Sequence, residues 1–286
     1  MVERLLCKQD VRSSNLLGST VARRLERVND LLDGVAARLR AAGCVFAEEE
    51  AAILIEAAGR DDAALESMVA QRVDGAPLEP LVGWVQFGAL RLEVGPGVFV
   101  PRQRSLHLAR AAVRVAREQP RPLVLEPFCG VAPIAASIAG AVPDAEVHAA
   151  DIELVALRYA RRNLPPGAGV HESDRLAGLP ASLHGRLTLV ASVPPYVPTT
   201  AAQFVPREAV EHEPGAALFA GEDGLDHVRA LVDGLVGWLA PGGVALIEVN
   251  RQQYRSAAGH ARTAGWKTSP RRGTDGQTVL LDLRSP

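Results

Sequence analysis

From Pro122 onward, short apolar runs alternate with helix-like stretches, and this alternation restricts the possible folds more than any other feature of the chain. The runs are Pro122–Glu126, Val147–Asp151, Val170–Ser173, Leu187–Ser192, Val244–Val249 and Thr278–Leu283. Helical patterns fill the gaps at Leu106–Glu118, Pro133–Ala141, Leu154–Asn163 and Leu225–Leu239, and Pro241-Gly-Gly243 makes a sharp turn into the fifth run. Strands that are apolar on both faces belong to a mostly parallel sheet covered by helices on each side. Such sheets bind ligands just beyond the carboxyl ends of their strands.

The first 80 or so residues read differently. Apolar positions recur at helical spacing over Thr20–Arg40, Ala47–Ala58 and Ala63–Arg72, with Gly43, Gly59 and Gly75 at the breaks. This predicts a small helical bundle with no chemistry of its own. Trp84–Val94 alternates like a β-hairpin turning near Gly88, and Val98–Val100 leads into Pro101-Arg102. The expected division is a helical domain over 1–80, a hairpin linker over 81–104 and an α/β domain over 105–286. A 48% hydrophobic, 22% charged composition suits a globular chain. A net charge of -2 exerts no bulk pull on nucleic acid or an anionic membrane. Cys7, Cys44 and Cys129 form no Cys-x-x-Cys pair, so neither a zinc site nor a disulfide framework is expected, and a reduced, cytoplasmic setting fits.

The strand ends carry the chemistry. The first run closes on Glu126 and opens into the turn Pro127-Phe-Cys-Gly-Val-Ala132, where Gly130 allows a close backbone approach. An acid before such a turn can receive the ammonium of a bound amino acid; the plain alternative is a tight strand-to-helix turn. Asp151 closes the second run, where a carboxylate can accept both hydroxyls of a ribose or simply cap the next helix. Asp174 follows the third run and can hold an adenine amino group or sit in a surface turn. A pyrophosphate would want Gly-x-Gly-x-x-Gly, and Phe128 is poorly suited to it. A phosphate-free nucleoside fits better and points to S-adenosylmethionine (SAM); a dehydrogenase does not fit. After the fourth run, Ser192-Val-Pro-Pro-Tyr196 is stiffened by two prolines that present Tyr196 at the sheet edge.

With these stretches in order, the chain resembles the release-factor glutamine N5-methyltransferase family (HemK/PrmC-type) over nearly its whole length. The matching segments are Glu79–Trp84, Gly97–Arg102, the Glu126 turn, Asp151, Ser173-Asp174, Ser192–Tyr196, Glu213-Pro214 with Gly221–Leu225, and Pro241–Gly243. The resemblance implies a Rossmann-like class I SAM-dependent methyltransferase domain behind a helical domain and a hairpin. It implies that Glu126, Phe128, Cys129, Gly130 and Ala132 hold the methionine part of SAM and that Asp151 holds the ribose. Asp174 with Arg175 would take the adenine side, and Ile152 and Ser192 also count among the cofactor positions. Phe99, Arg102, Val193, Pro194, Pro195 and Tyr196 would face the methyl acceptor. Two motifs depart from the family pattern, at three positions. Phe128 and Ala132 replace glycines of its Asp-x-Gly-x-Gly-x-Gly turn, and Val193 replaces the Asn of Asn-Pro-Pro-Tyr, whose carboxamide pairs with the acceptor amide.

An isopropyl group cannot make that pairing, which predicts a changed acceptor. Val193 beside two prolines and Tyr196 makes an apolar slot suited to a flat ring such as an indole, methylated at carbon or nitrogen, with Tyr196, His212, Glu211 or Glu213 as candidate bases. Two alternatives stand beside this: continued methylation of a release-factor glutamine, and a relative that binds SAM without turnover.

Overall fold

The computed structural model describes residues 29–204 and 207–284. Within them the chain forms two compact units, one ending at Val82 and one starting at Gly83. The expected helix from Thr20 is seen as α1 over 29–41; residues 20–28 and Cys7 lie outside the described residues. α2 (Ala47–Ala58), α3 (Asp62–Val73) and the short α4 (Leu78–Val82) complete the smaller unit. Asp61 caps α3 by accepting the Ala64 N–H at 2.9 Å. The core of this unit is Val35, Leu39, Ala51, Leu54, Leu65 and Val69.

The larger unit opens with the antiparallel hairpin β1 (Trp84–Phe87) and β2 (Leu90–Glu93). Alternation gives the hairpin an apolar face, and Val85, Phe87 and Leu92 join the core of the larger unit. Then follow α5 (Leu106–Arg117), β3 (Leu123–Pro127), α6 (Pro133–Ala141), β4 (Glu146–Asp151), α7 (Leu154–Asn163), β5 (Gly169–Glu172) and β6 (Leu187–Ser192). After these come α8 (Arg207–His212), α9 (Asp226–Gly234), β7 (Leu239–Asn250), α10 (Tyr254–Thr263), β8 (Lys267–Arg272) and β9 (Thr278–Arg284). The sheet order is β5-β4-β3-β6-β7-β9-β8. The strands from β5 to β7 pair in parallel, whereas β9 runs antiparallel to both β7 and β8.

Adjacent residues of each central strand face opposite sides, so each side must be covered. Val124, Leu189 and Leu246 pack under α5, α6 and α7. Leu125, Val190 and Ile247 pack under α9 and α10. This is the sheet covered by helices on both sides that the strand pattern predicts, with the Rossmann-like class I architecture that the resemblance implies. The chain runs outward from β3 through β4 to β5, then returns to β6 on the other side of β3. That reversal opens a crevice at the carboxyl ends of β3 and β6.

Two element boundaries differ from expectation. Helix α9 stops at Gly234, short of Leu239, because Gly237 takes a φ of 84° that no α-helix contains. The turn expected at Pro241–Gly243 lies inside β7, which starts at Leu239 and shifts register between Leu187 and Leu189 of its neighbour. Among the described residues, no helix is long and apolar enough to cross a membrane.

Candidate active site

The tips of β3, β4, β5 and β6 bring the candidate cofactor residues together around the crevice. Glu126 is buried in β3, and its two oxygens accept the N–H groups of Ile134 (3.2 Å) and Ala135 (2.6 Å) in the first turn of α6. A helix start has free donors, so a buried carboxylate behind it caps the helix. Burial still pushes the Glu126 carboxyl up to about 8; the two N–H bonds pull it down and the charge of Asp151 raises it further. Asp151 ends β4 and organises the turn from the other side. Its Oδ2 accepts the Gly130 N–H at 2.7 Å and its Oδ1 the Glu153 N–H at 3.0 Å. Burial raises its carboxyl as well, against those backbone bonds.

The turn is wound tightly. Phe128, Gly130 and Ala132 all take left-handed conformations, with φ of 55°, 53° and 64°. The family glycines at the first and third of these positions are therefore explained by backbone geometry, and this chain carries the strain of side chains there. The Phe128 ring packs against His227, with centroids 5.4 Å apart. Cys129 is buried, and burial lifts its thiol well above the usual range, so it is a packing residue rather than a nucleophile. At Gly130 a side chain would meet no atom within 4 Å, so the turn leaves open space over its middle. Ile152, beside Asp151, is 58% exposed, an apolar surface next to a carboxylate. Asp174 is half-exposed and pairs with Arg175 at 2.8 Å.

Ser192, at the tip of β6, is fully buried and donates its hydroxyl to the Pro127 carbonyl at 2.8 Å, tying β6 to β3. We expect Ser192→Ala to cost about 1–2 kcal/mol of stability by orphaning that carbonyl. Cofactor affinity should change by less than about threefold, because the hydroxyl is already committed. Thermal unfolding and calorimetry check this; an affinity loss at unchanged stability would contradict it.

Beyond Ser192 come the residues that the resemblance expects to face a methyl acceptor. Val193 is half-buried and packs on the core under α5, and Pro194 and Pro195 are buried. The carbonyl of Tyr196 accepts from Gln253 Nε2 at 2.8 Å. Gly224 makes this clamp possible: a side chain there would come within 2.3 Å of the Tyr196 carbonyl oxygen and 2.6 Å of Gln253 Nε2. The Tyr196 hydroxyl lies 3.5 Å from Glu248 Oε1, and its pKa is pushed up to about 12, first by burial and then by that carboxylate.

The remaining candidates fall into two groups. Arg102 donates to both oxygens of Glu213 at 2.7 Å, and its guanidinium lies 4.9 Å from the Phe99 ring centroid. The Glu213 side chain is only 5% exposed. Glu213 is thus an ion-pair partner that anchors the segment around Phe99 and Arg102, and as a base it would first have to leave that pair. His212 is exposed at the end of α8. The residue that sequence reasoning passed over is Glu248, an acid in the apolar run of β7 and 1% exposed. Its signal was visible: a carboxylate in an otherwise apolar strand needs a reason.

No family model matches the chain. A release factor glutamine methyltransferase of Streptomyces coelicolor is 38% identical over 190 residues, 65% of this chain and 67% of that protein. One of Deinococcus radiodurans is 33% identical over 275 residues, covering 90% of this chain and 98% of its own. A 4-amino-L-phenylalanine/4-methylamino-L-phenylalanine methyltransferase of Streptomyces pristinaespiralis is 34% identical over 224 residues, 76% of each chain. Near-complete coverage at this identity, together with a class I sheet whose strand tips carry the expected acids, settles the assignment. The chain belongs to the release factor glutamine methyltransferase family and is a SAM-dependent methyltransferase of that HemK/PrmC type.

Proposed function

We propose that this enzyme methylates the nitrogen of a small aromatic or heteroaromatic amine. Val193 carries the reading: it is half-buried against the core where the motif has a carboxamide, and it offers the acceptor neither donor nor acceptor. A relative named for 4-amino- and 4-methylamino-L-phenylalanine supports an aromatic amine as the substrate class. In the same proposal, the described helices up to residue 80 belong to a helical domain, and 81–104 lead as a linker into the catalytic domain that starts at 105.

The cofactor residues fit SAM. The open space over Gly130 accommodates a ligand backbone, and the exposed Ile152 offers a flat base an apolar surface. Burial raises the carboxyls of Glu126 and Asp151, and a ligand of net positive charge bound beside them would favour their ionised forms. Bound there, SAM supplies a methyl group on a sulfonium leaving group. In this reading Asp151 uses the lone pairs left by Gly130 and Glu153 to accept the ribose hydroxyls. Asp174 and Arg175 flank the adenine, and the turn from Phe128 to Ala132 wraps the methionine part. Pro194 and Pro195 hold the acceptor edge rigid, so alignment costs little entropy at the moment of transfer. Arg102 and Phe99, fixed by Glu213, wall the acceptor side.

A second reading, methylation of a release-factor glutamine, is favoured by the names of the Streptomyces coelicolor and Deinococcus radiodurans relatives. The Pro194 carbonyl and Tyr196 would then hold the amide. Purified enzyme with SAM, assayed by S-adenosylhomocysteine release, separates the two. We expect turnover on members of an arylamine and indole panel and none on a release factor. Methylation of the release-factor glutamine with the panel inert would overturn the proposal.

A further inference from the structure

The last residue pair that β6 and β7 make at their carboxyl ends is Ser192 with Ile247. Glu248 follows Ile247 in β7 and Val193 is the first residue past the end of β6, so the register carried one step on puts the two at neighbouring positions. Alternation along β7 places Glu248 on the face that carries Leu246, and Val193 packs against that same core under α5. The apolar position of the motif thus has a carboxylate for a neighbour.

That carboxylate is incompletely satisfied. Its Oε1 accepts the Ser105 hydroxyl at 3.1 Å and lies 3.5 Å from the Tyr196 hydroxyl. Its Oε2 is buried and has no hydrogen-bond partner among the described residues. Buried polar atoms without a partner are rare, and each calls for an explanation; in an active site the missing partner is commonly a ligand. A group buried for packing alone would be apolar.

We propose that Glu248 takes the proton from the acceptor nitrogen as that nitrogen is methylated. The nitrogen lone pair forms the new N–C bond, and the electron pair of the breaking C–S bond stays on the sulfur of departing S-adenosylhomocysteine. The N–H proton passes to Oε2, and the neutral carboxyl then returns it to water. Ser105 and Tyr196 hold Oε1 so that Oε2 stays aimed.

The charged groups around Glu248 suit this role. Burial raises its carboxyl to about 7, Arg104 in the turn before α5 draws it down together with the Ser105 and Tyr196 hydrogen bonds, and Asp275 in the β8–β9 turn pushes it up. A base whose affinity for a proton matches ambient pH transfers protons most effectively. Activity should therefore rise as pH passes through about 7 and Glu248 ionises.

The inference rests on the reading that the acceptor atom is nitrogen. Glu248→Gln keeps the size and the Oε1 contacts but cannot take a proton. In the full-length enzyme we expect unchanged melting temperature, unchanged S-adenosylhomocysteine affinity and KM within about threefold. The kcat should fall about 100-fold, and the rise with pH should vanish. Glu248→Asp should recover part of kcat and keep the rise. Near-normal kcat in the Gln variant, or a loss that follows affinity or melting temperature, overturns the proposal. The variants are compared on whichever acceptor the wild type turns over. A release-factor result alone thus sinks the arylamine reading while the Glu248 ratio still decides; turnover of neither acceptor overturns both.

Discussion

Asp151→Ala lowers SAM affinity by about 100-fold or more. Two contributions add. The carboxylate would supply hydrogen bonds to the ribose, and bonds to a charged group contribute roughly 1.5–3 kcal/mol each; two of them correspond to about 10²–10⁴ in the dissociation constant. The same carboxylate also fixes the turn, through the Gly130 N–H at 2.7 Å. Removing it frees a segment in which Phe128 and Ala132 already hold strained left-handed conformations, so the turn is expected to relax away from its binding shape. Asp151→Asn should fall between, since one amide oxygen can still accept from Gly130. Isothermal calorimetry on the three proteins checks the order. Equal affinities would show that the ribose lies elsewhere.

Val193→Asn produces the second large change, in specificity rather than affinity. A carboxamide restored beside Pro194 gives a glutamine amide a partner and places an unpaired polar group against an aromatic acceptor. A site built to hydrogen-bond its substrate discriminates by about 10⁴ against one that cannot pair. The ratio of kcat/KM for a release factor to that for the preferred arylamine should therefore rise by about 10³–10⁴, with the arylamine value falling at least about tenfold. Parallel assays on both acceptors measure it. An unchanged ratio would show that position 193 does not meet the acceptor.

Much of the larger unit was legible because its central strands are buried on both faces. Leu123–Leu125, Leu189–Ala191 and Val244–Ile247 are apolar without interruption, as strands of a sheet covered on both faces are. Strand β8 was not legible for the complementary reason. Lys267–Arg272 lies at the sheet edge, mostly exposed, and carries Pro270, which an edge strand tolerates. Nothing in Lys-Thr-Ser-Pro-Arg-Arg asks to be a strand until β9 supplies a partner. Helix α9 was overestimated because Leu235 and Val236 continue its apolar pattern, although Gly237 ends it.

The site divides in the same way. Glu126 and Asp151 could be placed because each closes an apolar run, and a strand end is a position sequence can define. Their partners could not. Glu126 binds the start of α6, Asp151 the Gly130 N–H, and Ser192 the Pro127 carbonyl, contacts that exist only once the strands lie in order. The pairing of Arg102 with Glu213 spans still more chain. It turns a candidate base into an anchor, which no local motif reveals. Glu248 is the opposite case: an exception to apolar patterning, visible in the sequence and overlooked because the strand around it reads so cleanly.

A crystal structure with S-adenosylhomocysteine bound tests the central claim most directly. The ribose hydroxyls are expected within hydrogen-bond distance of Asp151, the amino-acid end over Gly130 and the sulfur directed toward Val193 and Tyr196. A ligand seated away from the carboxyl ends of β3 and β4, with Asp151 facing solvent, would contradict it.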